Sequence, residues 1–137
     1  MRKYMTDLLE PEYIGKKGIV ATPHLGASTA EAEENCAIMA TDQLMDYLEN
    51  GNIVNSVNFP RVTLEAKAGT VKHCVLFKCD KDIDTVKAKV ADCYGDDLVD
   101  FAGGKVRNGE HGYFIAQVKE GTDKKFACDC VLKFRAL

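Results

Sequence analysis

The stretch from residue 18 to residue 51 constrains the fold most, because it passes from a strand pattern to a helix pattern across one short turn. Its apolar start, residues 18–22, predicts a strand. Pro23 ends that strand, because proline has no N–H to donate to a ladder. Ser28 or Thr29 then predicts the N-cap of a helix. A strand that leads directly into a helix is typical of an α/β fold.

The helix that follows is predicted to be long and amphipathic. Ser28 and Glu31 have the capping-box spacing, in which each side chain satisfies a backbone N–H at the helix start. Apolar residues repeat at helical spacing on one face, and these are Ala37, Ala40, Leu44, Tyr47 and Leu48. Asn50-Gly51 is the predicted end of the helix.

The rest of the chain predicts a second, smaller domain. Residues 61–71 lack a regular pattern and are interpreted as a linker, so the predicted domains are residues 1–60 and residues 72–137. The second domain is predicted to contain a strand, a helix, two strands, a short helical turn and a last strand, at residues 73–79, 82–94, 98–106, 113–118, around Phe126 and 130–137. Asn108-Gly109 predicts the turn of a hairpin. This order is ferredoxin-like, with helices covering one face of a single sheet.

Composition narrows the range of functions. The net charge is −3, with 18 basic and 21 acidic residues interspersed, so no basic stripe favours a nucleic-acid partner. No apolar run approaches the roughly 20 residues that cross a bilayer, and the first residues lack the apolar stretch of a signal peptide. We therefore expect a cytoplasmic protein with no membrane partner.

The six cysteines are expected to be reduced and structural. They include no Cys-x-x-Cys pair and no spacing typical of a metal site, so no metal is predicted. Cys128 and Cys130 are one residue apart, and in a strand both would point to the same face as small core side chains.

His24 is the first candidate for chemistry. It follows the strand at residues 18–22, and an α/β sheet binds its ligands beyond the carboxyl ends of its strands. Another short strand is predicted at residues 3–8, before a loop that contains Glu10-Pro11. A histidine at this edge can titrate near neutral pH and act as an acid or base, although a polar loop residue is the alternative. His73 and His111 are assigned no functional role.

Residues 22–29 read Thr-Pro-His-Leu-Gly-Ala-Ser-Thr and resemble the signature around the catalytic histidine of the D-2-hydroxyacid dehydrogenases. The phosphoglycerate branch of that family fits best. Residues 4–7, 35–37, 46–51 and 55–60 also resemble it.

The resemblance implies an NAD-dependent oxidoreductase that acts on 3-phosphoglycerate, with His24 as general acid/base. It places His24, Leu25, Gly26 and Ala27 against the cofactor and Asp7 on its carboxamide side. The carboxylate partner of the histidine would be Glu10, which precedes proline as in the family. An exposed loop glutamate is the alternative interpretation of Glu10.

The resemblance also implies a fold, namely the C-terminal remnant of a Rossmann-type nucleotide-binding domain followed by an ACT-like domain. The family's glycine-rich phosphate turn, ribose-binding acid and substrate-binding arginine would precede Met1, so we expect no activity from this chain alone. Ile19, Val20 and the helix face around Leu44 should then lie uncovered.

An ACT-like domain implies a homo-oligomer and L-serine as an effector. Residues 79–83, however, lack the family's Asn-x-Pro-Gly-like loop, which argues against serine binding. A non-catalytic effector-binding or assembly module is the alternative function.

Overall fold

A computed structural model describes residues 3–107 and 109–137 as a mixed α/β structure with two sheets. The chain divides into two compact units, Met1–Ala40 and Thr41–Leu137. The domains predicted at residues 1–60 and 72–137 describe family relationships and stay predictions. The compact units divide at a different residue, which lies inside the long helix.

The first unit contains a parallel pair of short strands, β1 (Tyr4–Thr6) and β2 (Ile19–Ala21). A single 3-10 turn, Pro11–Tyr13, lies in the connection between them. Both strands fall within the predicted ranges and are shorter. Parallel neighbours place their carboxyl ends at the same edge of the sheet.

Helix α1 (Ala30–Asn50) begins and ends at the predicted signals. Of the two candidate caps, Thr29 is the one used, because its Oγ1 accepts a hydrogen bond from the N–H of Ala32 at 3.1 Å. The N–H of Ser28 donates instead to the carbonyl of Leu25. The side chain of Leu44 is 58% exposed and that of Val20 37% exposed, as expected for uncovered apolar surface, whereas Ile19 is half-buried.

The second unit is built on a four-stranded sheet. Its elements are β3 (Thr70–Lys78), α2 (Ile83–Tyr94), β4 (Leu98–Lys105), β5 (His111–Lys119) and β6 (Val131–Ala136). The strand order is β4-β5-β3-β6, and every neighbouring pair is antiparallel. The predicted order of the strands and of α2 is confirmed. Of the predicted hairpin turn, Asn108 lies outside the described residues.

The predicted helical turn around Phe126 is wrong. Residues 122–128 have no regular structure, and the ring of Phe126 is buried in the core. The backbone N–H of Phe126 donates to the Tyr94 hydroxyl at 3.0 Å. A tertiary hydrogen bond and ring burial therefore fix this segment in place of a local helix.

Side chains on the two faces of the sheet alternate along each strand, and both faces are covered. The α2 face forms the main core, made of Val75, Phe77, Val86, Val90, Tyr94, Phe114, Ala116, Val118 and Phe126. A smaller cluster on the opposite face contains Val62, Cys74, Tyr113 and Ile115. The sheet is thus covered by α2 on one face, as predicted, and on the other by irregular chain together with Tyr47 from the end of α1.

That second face is covered by residues 51–64, which we call the strap. Within it, Ile53 and Val62 pair through two backbone hydrogen bonds of 2.8 and 3.0 Å. The strap is held to the sheet by Tyr113, whose hydroxyl donates to the carbonyl of Gly51, and by the ammonium of Lys72, which donates to the carbonyls of Asn50 and Leu64. Part of the predicted linker is therefore packed chain.

The expectation for Cys128 and Cys130 is also corrected. The two residues form a disulfide with a Cα–Cα separation of 5.2 Å, within the range that a disulfide can bridge. They do not lie in a strand, because β6 begins at Val131 and Cys130 belongs to the preceding turn. The turn brings the two sulfur atoms together. Cys36, Cys74, Cys79 and Cys93 are free thiols, and burial raises the pKa of Cys74.

Gly51 is expected to tolerate replacement poorly. Its φ of +73° lies in the left-handed region, and a Cβ there would come within 2.2 Å of the Cys74 Sγ. Gly69 has the same φ and no atom within 4 Å of the corresponding Cβ position. Gly69→Ala should cost about 1–2 kcal/mol from backbone strain alone. Gly51→Ala should cost about 1–3 kcal/mol more from overpacking.

Urea unfolding of both alanine variants measures this difference, because the strain is matched and only the clash differs. Equal free energies of unfolding for the two variants would mean that the strap moves freely from the sheet.

His73 should make the stability of the second unit depend on pH. Burial, and secondarily the charge of Lys125, lower the pKa of His73 from its ordinary 6.5. Its Nδ1 lies 2.8 Å from the Tyr94 hydroxyl, which accepts from Phe126 and is therefore free to donate to an unprotonated Nδ1. The unfolded chain thus binds a proton that the folded chain resists, so stability is full above pH 6.5 and falls as the pH drops below it.

Urea unfolding across pH 5 to 8 tests this, with His73→Gln as the variant and His111→Gln as the control. The exposed His111 should leave the pH slope unchanged. A slope that persists in His73→Gln would assign it to another group.

Candidate active site

The candidate active site lies at the carboxyl edge of the parallel pair. Asp7 follows β1 directly, and His24 follows β2 after the Pro23 break. Because β1 and β2 are parallel, both side chains come to the same edge. That edge is where α/β sheets bind their ligands.

His24 and Asp7 form a pair across this edge. The distance from His24 Nδ1 to Asp7 Oδ2 is 3.4 Å, and their side chains are 63% and 51% exposed. At this exposure the pair adds little to stability. Its chemical consequence is orientation: with Nδ1 facing the carboxylate, Nε2 is the ring nitrogen left for a reacting group.

Asp7 is directed outward by a local turn. Thr6 Oγ1 donates to the carbonyl of Leu8 at 2.9 Å and accepts from the N–H of the same residue at 3.1 Å. These bonds bend the chain around Asp7 at the end of β1. The resemblance places Asp7 on the cofactor, whereas its pairing with His24 comes from the structure. Its position near the end of the strand predicted at residues 3–8 was the available signal.

Glu10 lies in the loop after β1 and directly precedes the 3-10 turn Pro11–Tyr13. Its carbonyl accepts from the N–H of Tyr13 in the 3-10 turn, and the residue lines a cavity of about 420 Å³ together with Tyr4, Thr6, Leu8, Tyr13 and Ile19. Among the ion pairs of the described residues, His24 pairs with Asp7. The catalytic role of Glu10 stays a prediction.

Residues 24–27 form an open turn before α1. Leu25 is 57% exposed, and a Cβ added at Gly26 would meet no atom within 4 Å. The turn is held by backbone bonds from Leu25 to Pro23 and from Ser28 to Leu25, both 3.0 Å. The space at the Cβ position of Gly26 is therefore open.

No family model matches the chain. Curated proteins do match it: D-3-phosphoglycerate dehydrogenase of Haemophilus influenzae is 44% identical over 52 residues. This chain resembles D-3-phosphoglycerate dehydrogenase. The enzyme of Escherichia coli is 41% identical over 51 residues, and D-3-phosphoglycerate dehydrogenase 2 of Saccharomyces cerevisiae is 42% identical over 55 residues. The resemblance predicted from the sequence is thereby confirmed.

These matches are local. The three alignments cover 37 to 40% of this chain and 12 to 13% of the length of the D-3-phosphoglycerate dehydrogenases. The chain thus matches about one-eighth of each relative.

Within residues 3–107 and 109–137, no helix is both long and apolar enough to cross a membrane. The same residues contain no group of three or more His, Cys, Asp or Glu side chains placed to hold a metal ion.

Proposed function

We propose that this chain is the carboxyl-terminal part of an NAD-dependent D-3-phosphoglycerate dehydrogenase, with His24 as its general acid/base. The observation that carries the proposal is the His24–Asp7 pair at the carboxyl edge of two parallel strands. The local identity to D-3-phosphoglycerate dehydrogenases supports it. The parallel pair followed by α1 would be the remnant of the Rossmann-type domain.

The proposed reaction is the oxidation of 3-phosphoglycerate to 3-phosphohydroxypyruvate, the first step of L-serine biosynthesis. His24 Nε2 accepts the proton of the C2 hydroxyl and returns it in the reverse direction. NAD, when bound, supplies the acceptor for the hydride that leaves C2. Asp7 holds the imidazole so that Nε2 faces the substrate and stabilises the imidazolium that forms.

The open turn would lie against the nicotinamide end of the cofactor. Leu25, Gly26 and Ala27 would lie along the cofactor, because nothing within 4 Å obstructs the position above Gly26. Asp7, which pairs with the imidazole of His24, would also lie on the carboxamide side of the cofactor. Glu10 would then be a second carboxylate available to His24. It lines the cavity of about 420 Å³ that Thr6 and Leu8 also line.

The second unit would be an ACT-like regulatory or assembly domain of a cytoplasmic homo-oligomer. Its order of strand, helix and three further strands supports this, together with a core of its own. L-serine is the effector that the family relationship suggests. The loop at residues 79–83, which lacks proline and glycine, favours assembly over serine binding.

Steady-state assays of the full-length gene product that carries this sequence test the proposal. We expect NADH formation with NAD and 3-phosphoglycerate, and much less with lactate or glycerate. The 137-residue chain alone should form none, because it contains no Gly-x-Gly-x-x-Gly turn for the pyrophosphate. Oxidation of a different 2-hydroxy acid by the full-length protein would assign it to another branch of the family.

A further inference from the structure

A cavity of about 430 Å³ lies between the strap and the face of the sheet opposite α2. Its lining residues all belong to the second unit, between Gln43 and Arg135. This volume is within the roughly 300–1,000 Å³ typical of small-molecule sites.

The walls of the cavity are mostly apolar. Leu44 and Tyr47 come from α1, Ile53 and Phe59 from the strap, and Leu76 from β3. The strap is fixed over them by Asn52, whose Oδ1 accepts from Leu64 and whose Nδ2 donates to Asp46. The strap and α1, which form two walls of the cavity, are therefore held to each other by hydrogen bonds.

Two cationic side chains from β6 also line the cavity, on the face of the sheet opposite α2. Lys133 is the cross-strand partner of Leu76, and Arg135 is the partner of Cys74, so both cations lie beside the apolar floor. Arg135 donates to the carbonyl of Tyr47, and its guanidinium lies 4.8 Å from the Tyr47 ring centroid. These contacts use few of its five donors and hold the guanidinium at the cavity.

The described residues of the lining carry no charge that opposes these two cations. None of the described residues that line the cavity is acidic, although acidic residues outnumber basic ones in the chain by 21 to 18. No ion pair between described residues includes Lys133 or Arg135. An anion that entered the cavity would meet two unneutralised cations beside an apolar floor.

We propose that this cavity binds a small amphipathic carboxylate, with its apolar group on Leu76 and Phe59 and its carboxylate at Lys133 and Arg135. A guanidinium fork and an ammonium match a carboxylate in charge and in hydrogen bonding. Its lining shares no residue with the candidate active site, and the proposal does not rest on the proposed dehydrogenase activity.

The probe is 3-phenylpropionate, added to the ¹⁵N-labelled full chain and followed by backbone amide NMR. The amides of the strap and of β6 should shift with the carboxylate and much less with 3-phenylpropanol, which has the same apolar group and no charge. L-serine has the carboxylate and no apolar group, so it should shift them weakly. Equal shifts with the alcohol, or none with the acid, would overturn the proposal.

Lys133→Gln should weaken the binding of 3-phenylpropionate about tenfold, the effect of losing one charge-assisted hydrogen bond. Lys133 is exposed, so the variant should fold. Lys89→Gln is the matched control, because it removes the same charge from α2 on the other side of the sheet. Leu44→Trp should fill the cavity and abolish binding. Equal affinity in the two glutamine variants would overturn the site, as would full binding by Leu44→Trp.

Discussion

His24→Gln in the full-length gene product is expected to lower kcat for 3-phosphoglycerate oxidation by about 10²- to 10⁴-fold, the usual contribution of a positioned acid/base. Glutamine keeps a polar side chain of similar reach but cannot accept the C2 hydroxyl proton. The loss should fall on kcat more than on KM, because the missing proton transfer belongs to the transition state and not to substrate binding.

Two variants control for this effect. His111→Gln changes an exposed histidine of the second unit and should leave kcat unchanged. Asp7→Asn keeps the shape of the partner and removes its charge, so kcat should fall less than in His24→Gln. If His24→Gln retained most of the kcat, the histidine would be a polar loop residue, and the acid/base would have to be sought elsewhere.

The elements that the sequence predicted correctly are those that local chemistry determines. Pro23 has no N–H for a ladder, Thr29 caps the N–H of Ala32, and Gly51 supplies the left-handed φ after α1. Each effect operates within a few residues. The same holds for α2, where Asp82 accepts from the N–H of Thr85 at its start.

The features that were missed depend on residues far apart in the chain. The strap reads as irregular sequence, because its pairing of Ile53 with Val62 and its anchoring by Lys72 and Tyr113 become visible only once the sheet exists. Phe126 is held by Tyr94, 32 residues away, against the helical pattern predicted for it. Periodicity carries no information on such contacts.

The sequence was enough to predict which residues belong to the candidate site, but not which of them pair with each other. From the sequence, His24 could be placed after a strand and Asp7 near the end of the strand predicted at residues 3–8. Their closeness follows from the parallel register of β1 and β2, which brings Thr6 opposite Ala21. The resemblance directed attention to Glu10 because of the following proline, whereas the geometry brings the other carboxylate to the imidazole.

Phe114→Ala is expected to lower the free energy of unfolding of the second unit by about 3–5 kcal/mol, the usual cost of removing a buried phenylalanine. Phe114 is fully buried at the centre of β5, and its ring centroid lies 5.9, 5.4 and 5.3 Å from those of Phe77, Phe101 and Phe126. These three rings come from β3, β4 and the connection to β6. Phe114 therefore packs against side chains from three separate segments of the second unit. Their number and separate origins limit how far the cavity left by alanine can collapse.

Urea unfolding of Phe114→Ala and of Leu132→Ala measures this effect. Leu132 lies on β6 and is 54% exposed, so its truncation should cost well under half as much. Since whole domains are stable by only about 5–15 kcal/mol, the core variant should approach the limit at which the second unit remains folded. A cost near that of Leu132→Ala would mean that the rings repack around the missing side chain. The α2 face would then be a deformable layer, and the stability of the unit would have to come from the strap face.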